Sequence, residues 1–125
     1  MSNERNRDIE ARLFREDRGP QNLRELLACI SRRPAMYLGE KSLTALGRWL
    51  YGYALACRIH HVPEADRFGL DGIDLAFSEW LANNGIGYGA RGPLDHLVEL
   101  CGSEAAAFDR FFALLDEFEA SHDDV

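Results

Sequence analysis

Two pairs of side chains with metal-binding or nucleophilic chemistry lie close together in the sequence. Cys57 and His61 are four residues apart, so on a helix they share one side and could supply two ligands to a metal ion. A structural zinc site needs four ligands and a catalytic site three, and no second pair has suitable spacing. Cys101 and His96 are five residues apart, which points them in different directions around a helix. We therefore predict no metal, no cofactor and no catalytic site.

A glycine-rich stretch, NGIGYGARGP at residues 84–93, has the composition of a phosphate-binding loop. Such a loop follows a strand and opens a helix whose N-terminal amides face the phosphate. Here a predicted helix precedes the glycines, and neither Lys-Ser nor Lys-Thr follows them. The stretch is therefore predicted to be a connecting loop.

The charges are unevenly distributed along the chain. Residues 1–62 carry eleven Lys and Arg against seven acids, while residues 63–125 carry three against fourteen, a net charge of −11. The acidic C-terminal half repels phosphate, so binding of nucleic acid there is disfavoured. The same charge attracts a basic protein. On the last predicted helix we take as candidate partner-binding residues the acids Asp109, Asp116, Glu117 and Glu119. The alternative is that acidity only keeps the protein soluble.

The apolar residues recur mostly at helical spacing. After residue 18 they predict helices over 21–33, 42–61, 71–83, 93–101 and from 103 onward. The third of these helices can be capped by Asp71 or Gly72, and the last is capped by Ser103. Residues 1–18 form either a weakly amphipathic helix or a partly ordered arm. No run alternates cleanly enough for a central strand, and a short strand near Phe68–Leu75 stays open as an alternative. We predict an all-α fold of about five to six helices, with the arm followed by a single compact domain over residues 19–125.

The sequence RRPAMYLG at residues 32–39 joins two of these helices. Pro34 cannot continue the first helix, a glycine is available for φ > 0 in the turn, and a serine is suited to cap the next helix. The apolar residues of the turn are predicted to be buried beneath it. We assign a structural role to the motif residues Arg33, Pro34, Met36, Tyr37, Gly39 and Ser42.

The sequence also bears on the cellular compartment. No apolar run approaches the roughly 18 residues that span a bilayer, and the N-terminus MSNERNRDIEARLFRED is polar where a secretory signal would be apolar. Cys29, Cys57 and Cys101 each lie in an apolar helical stripe, which is typical of reduced core cysteines. We expect a cytoplasmic protein that does not contact a membrane.

The segment RRPAMYLG followed by a helix is similar to the KRPGMYIG-like segment of the ATPase domain of the DNA gyrase B and topoisomerase family. In that family the following helix supplies a glutamate base and a metal-binding asparagine. Here residues 43–61 read LTALGRWLYGYALACRIHH and contain neither an acid nor an amide. GLDGID at residues 69–74 also lacks the family's Asp-x-Gly-x-Gly spacing. The resemblance implies a shared turn and carries no activity to this chain.

A second resemblance spans about residues 23–118. The order RPxMYLG, Ser42-Leu43, Gly52-Tyr53, an aromatic helix and AFDRFFALLDEF at residues 107–118 resembles a group of small bacterial proteins often encoded beside polymorphic or contact-dependent toxins. The resemblance implies a candidate immunity protein. The aromatic residue usual near the start of the fifth helix is displaced here to Tyr88.

Two hypotheses of function follow. The first is a non-enzymatic protein-binding protein, specifically an immunity protein that covers a cognate toxin with the acidic surface of its last helix. The second is a small homodimeric structural or regulatory domain in which Trp49, Tyr51 or Trp80 packs across the interface. Both require a protein partner.

Overall fold

A computed structural model describes residues 4–69, 71–87 and 92–123, and within these ranges the fold is built from helices. The helices are α1 (Glu4–Arg15), α2 (Leu23–Arg32), α3 (Pro34–Leu38), α4 (Leu43–Ile59), α5 (Leu75–Asn83), α6 (Pro93–Cys101) and α7 (Glu104–Asp123). A short 3₁₀ helix covers Pro63–Arg67. The predicted all-α class is confirmed. None of the helices described is long and apolar enough to cross a membrane.

The predicted number of helices, five to six, is wrong by one in the described ranges, because the RRPAMYLG segment contains a helix of its own. Pro34 begins α3 at a first helical position, where its missing N–H is not needed. Gly39 ends α3 in the left-handed conformation, with φ 83°, as its predicted role in the turn requires.

The strand that stayed open near Phe68–Leu75 is reduced to one isolated antiparallel bridge between Phe68 and Asp74. Residue 70 lies outside the described residues. The following helix, α5, is capped by Asp74, whose carboxylate accepts from the Ala76 amide at 2.8 Å. The predicted cap at Asp71 or Gly72 is therefore wrong, because the Asp71 side chain instead accepts from the Ile73 amide and closes a turn.

The described contacts divide the chain into two units. The first contains the residues up to Lys41 and those from Phe112 onward, and the second runs from Ser42 to Phe111. Helices α1, α2 and α3 belong to the first unit and α4, α5 and α6 to the second, while α7 contributes one part to each.

In the first unit, α1 and α2 pack against each other, and a buried carboxylate on α2 fastens the two. Glu25 accepts from Arg12 of α1 at 2.6 Å and from both terminal nitrogens of Arg18 at 3.0 and 3.1 Å. The Gln21 amide adds a fourth hydrogen bond at 2.9 Å. A buried charge needs this many donors because it has lost its water. Residues 4–15 are thus a helix held in place by specific charges.

A second buried carboxylate, Glu10 of α1, pairs with the two arginines of the RRPAMYLG segment. Its oxygens lie 3.1 Å from Arg33 Nε and 3.7 Å from Arg32 Nε. The Arg33 guanidinium also lies over the Phe14 ring, 6.0 Å from its centroid. These arginines therefore link α1 to the end of α2, in addition to suiting a helix C-terminus.

The prediction that the apolar residues of RRPAMYLG are buried is wrong for Met36, which is 67% exposed. Tyr37 and Leu38 are half-buried. Because α3 is a helix of five residues and not a turn, successive side chains point around its axis, and one of them faces solvent. The Tyr37 hydroxyl hydrogen-bonds with the Cys29 thiol, and burial raises the pKa of both groups.

The core of the second unit lies along α4. This helix packs on α6, and α5 also packs on α6. The Phe77 ring meets the Phe111 ring edge-on with centroids 5.7 Å apart. The unit's fully buried aliphatic residues include Leu43, Leu46, Leu50, Ala54, Leu81 and Leu97.

The two glycines inside α4 have different environments. A Cβ at Gly47 would lie 2.9 Å from the Leu94 side chain, so close packing with α6 explains this glycine. A Cβ at Gly52 would meet nothing within 4 Å. A third glycine, Gly72, has φ +81°, and a Cβ there would lie 2.2 Å from the Leu50 carbonyl oxygen. Backbone packing therefore requires Gly72 but not Gly52.

We predict that Gly72→Ala lowers the free energy of unfolding by about 2 kcal/mol or more, because it adds both a strained φ and a backbone clash. The matched variant Gly52→Ala should leave it unchanged or raise it by up to about 1 kcal/mol, since alanine favours a helix interior. Urea denaturation of both variants measures the difference. Equal stabilities would contradict the packing at Gly72.

We also predict that Glu25→Gln lowers the melting temperature by several degrees at pH 7 and by much less near pH 3. Hydrogen bonds from Arg18 and then Gln21 lower the pKa of Glu25 from 4.5 to about 2. Since the folded pKa is the lower one, the stabilisation is complete above about pH 4.5 and is lost as the pH falls toward 2.

Thermal unfolding followed by circular dichroism compares the wild type with Glu25→Gln at each pH. Glu40→Gln, at an exposed carboxylate, is the control and should match the wild type. A gap between wild type and Glu25→Gln that stayed constant with pH would show that the Glu25 charge is not what stabilises the fold.

Candidate functional site

The sequence-predicted partner-binding acids all lie on α7, whose start is fixed by a serine cap. The Ser103 hydroxyl accepts from the Ala106 amide at 3.1 Å, as predicted. The buried side of the helix is apolar and consists of Ala107, Phe108, Phe111, Phe112, Leu114 and Leu115. This burial fixes the rotation of α7 and so determines which of its acids reach solvent.

Two of the four predicted acids are exposed. Asp109 lies in the part of α7 that belongs to the second unit, and Glu117 in the part that belongs to the first. An exposed carboxylate keeps its hydration and can attract a cationic group at the modest energies typical of surface charge pairs. The carboxylates of these two residues are therefore accessible to solvent.

The other two acids, Glu119 and Asp116, are half-buried and lie in the first unit. Glu119 accepts from Arg24 at 2.6 and 3.0 Å in a two-pronged pair, and Arg5 lies 3.7 Å away. Asp116 is half-buried, and burial raises its pKa although Arg24 lies close by. A residue held by such contacts stabilises the fold, so changing it would alter stability as well as any binding.

The four acids do not share one side of the helix. Residues two apart, such as Glu117 and Glu119, lie on nearly opposite sides of an α-helix. Asp109 and Asp116 are seven apart and return to nearly the same side. The four acids that the sequence predicts to form one acidic surface are therefore distributed around α7.

Exposed carboxylates are frequent on the second unit. Its exposed acids among the described residues are Glu64, Asp66, Asp71, Glu79, Asp95, Glu99 and Asp109. Its described exposed arginines are Arg48, Arg67 and Arg110, and Arg67 lies 3.8 Å from the Asp74 carboxylate. On α6, Asp95 and Glu99 are four apart and share one side. Most of the acidic residues of the second unit are thus exposed to solvent.

One acid that the sequence analysis did not single out is placed at the start of another helix. Glu104, in the first turn of α7, accepts from the Thr44 amide at 2.8 Å, the Thr44 hydroxyl at 2.7 Å and the Ser42 hydroxyl at 3.0 Å. Ser42 itself caps α4, as predicted, by accepting from the Ala45 amide at 3.1 Å. The bonds from Thr44 are the main cause of a lowered pKa of Glu104. No spacing rule links residues 60 apart, so this contact had no sequence signal.

The cysteine and histidine pairs that the sequence offered as metal ligands or nucleophiles are separated by burial or bonded within the fold. Cys57 is buried and hydrogen-bonds with Tyr53, whereas His61 is exposed. No group of three or more His, Cys, Asp or Glu able to hold a metal ion occurs in the part of the chain that the structure describes. His96 accepts from the Gly87 amide at 3.0 Å, so it fastens the start of the glycine-rich loop. Residues 88–91 of that loop, with the displaced aromatic residue Tyr88, lie outside the described residues.

Comparisons of the chain with protein-family models, with curated proteins and with solved structures found no match. The resemblance to bacterial candidate immunity proteins therefore stays a prediction from the motifs.

We predict that Glu104→Gln lowers the free energy of unfolding by about 1–3 kcal/mol at pH 7, because three hydrogen bonds lose a charged acceptor. The lowered folded pKa means that this contribution is present above the ordinary carboxyl pKa and is lost as the pH falls below it. Urea denaturation at pH 7 and pH 3.5 measures both effects. The account of Glu104 is wrong if the variant and the wild type unfold alike at pH 7.

Proposed function

We propose that the protein is a non-enzymatic protein-binding protein that recognises a basic partner through exposed carboxylates. The observation that carries the proposal is the excess of exposed acids over exposed arginines on the second unit. A surface rich in carboxylates raises the rate of encounter with a cationic protein and repels the phosphates of nucleic acid. Asp109 and Glu117 are the acids of α7 that we assign to this role.

The class of partner that we propose is a cognate bacterial toxin. The motif resemblance to candidate immunity proteins supports this class, and an acidic surface suits toxins with a basic active surface, such as nucleases. We also propose a cytoplasmic location, which the three unpaired cysteines support. An immunity protein in that compartment would meet an incoming toxin before the toxin reached its target.

We predict that Asp109→Lys and Glu117→Lys, made singly and together, weaken retention of the partner while leaving the fold intact. Both side chains are exposed, and substitutions at such positions change stability by roughly 0.5 kcal/mol or less. The double variant Asp8→Lys with Glu40→Lys is the control, because it changes the net charge equally at exposed acids that lie outside α7.

The tagged protein is exposed to a lysate of the cells that naturally make it, and retained polypeptides are identified by mass spectrometry. The proposal expects one basic polypeptide that the wild type and the control retain, and that is released at about 1 M salt, where charges are screened within about 3 Å. Expression of that polypeptide alone should stop growth, and co-expression of the wild type should restore it. If no polypeptide is retained, or if both double variants retain it equally, the acids serve solubility and not recognition.

A further inference from the structure

The solvent-facing side of α4 carries a row of large apolar side chains. Tyr51, Leu55 and Ile59 are 54%, 46% and 63% exposed, and their spacing of four residues aligns them along the helix. The other exposed large apolar residues in the described ranges lie on four different helices and are Phe14, Met36, Leu75 and Leu100. Single exposed apolar residues are common in monomers, whereas a row along one helix indicates a contact surface.

A groove of small residues runs beside this row. Gly52 and Ala56 are both exposed and are also four residues apart. A Cβ built at Gly52 meets nothing within 4 Å, so the space above the backbone is open. A ridge formed by residues four apart on one helix fits such a groove on another helix, with axes about 8–10 Å apart.

The ridge and the groove lie on the same helix, so the surface is complementary to itself. A two-fold axis near Leu55 would place the ridge of each copy in the groove of the other, which is the arrangement of a symmetric dimer. With the two helices antiparallel, Tyr51 of one subunit would meet Ile59 of the partner subunit. The geometry thus fits a second copy of this chain.

The charges on α4 also favour a second copy. Residues 43–61 contain no acid, although the chain as a whole has a net charge of −7. Two copies that approach through this side therefore avoid the repulsion between carboxylates that acts elsewhere on the protein. Arg58 donates to the Phe68 carbonyl at 2.8 Å and so is held by its own chain, whereas Arg48 is exposed. With the two-fold axis near Leu55, the two copies of Arg48 would lie about 21 Å apart along the helices, where salt screens their repulsion. Because this side of α4 has no carboxylate, it is a different surface from the exposed acids that we propose to bind a basic partner.

We propose that the protein forms a two-fold symmetric dimer through the side of α4 that carries Tyr51, Leu55 and Ile59, with the two helices antiparallel. Three large side chains per copy form an interface at the small end of the range for specific complexes. We therefore expect a dissociation constant that is roughly micromolar, so that dimer and monomer exchange with concentration.

Sedimentation equilibrium over the micromolar range tests the dimer. The wild type should shift from monomer to dimer as the concentration rises, and Leu55→Lys should stay monomeric because it places two ammonium groups near the axis. The matched control is Leu100→Lys on α6, where the leucine is 60% exposed, and it should dimerise like the wild type. A wild type that stays monomeric, or a control that dissociates as far as Leu55→Lys, would overturn the proposal.

A charge exchange tests the antiparallel arrangement. Y51E and I59K should each weaken the dimer at least tenfold, and the double variant should recover it, since each introduced carboxylate would meet an introduced ammonium of the other subunit. Within one subunit the two positions are about 12 Å apart along the helix, so recovery requires a partner. Circular dichroism confirms that each variant is folded. A double variant as weak as the single ones would rule out this arrangement.

The two proposals can fail separately. Leu55→Lys should still retain the basic partner, while the double variant Asp109→Lys with Glu117→Lys should still dimerise. Loss of both functions in either variant would contradict the assignment of two independent surfaces.

Discussion

Three carboxylates that are buried or half-buried must find hydrogen-bond donors inside the protein, and the arrangement of the helices depends on how they do so. Glu25 takes its donors from two arginines and a backbone amide, and Glu10 accepts from Arg33 at the end of α2, with Arg32 3.7 Å away. Glu104 takes its donors from the first turn of α4. Because an unpaired buried charge is strongly destabilising, each of these contacts restricts where its two elements can lie.

This requirement divides the acids of the chain into two kinds. Glu119 is held by arginine contacts and belongs with Glu10, Glu25 and Glu104, whereas Asp109 and Glu117 reach solvent. The net charge of the sequence counts both kinds equally, yet the exposed acids are the ones that a protein partner can reach. The acids that we propose for binding and the acid that is held by arginines are thus different residues of one helix.

The parts of the fold that were predicted correctly depend on local chemistry. Ser42 and Ser103 cap helices through amides three residues away, and Gly39 ends a helix in the left-handed conformation, so a short stretch of sequence contains the whole interaction. The wrong predictions have two causes: some contacts join residues far apart in the sequence, and in other cases two neighbouring residues are equally suited to the same role. Asp71 and Asp74 are both suited to cap a helix, and only the structure shows that Asp74 does so.

The candidate site was predictable in composition but not in geometry. The acids of α7 could be named from the sequence, but the pairing of Glu119 with Arg24 joins residues 95 apart, and no pattern reports it. The exposed row on α4 was predicted only in part, because Tyr51 was named as an interface residue of a homodimer, whereas Leu55 and Ile59 were not distinguished from the other apolar residues of the helix. Exposure depends on which neighbouring elements cover a helix, and that is decided by packing.

The central claim is that buried carboxylates charged at neutral pH hold the helices together. Titration of every Asp and Glu carboxyl carbon by NMR tests it most directly. The account predicts that Glu25 titrates at about 2, Glu104 below its ordinary pKa and Asp116 above it. Titration of Glu25 and Glu104 near 4.3, the value of a carboxyl in water, would contradict it.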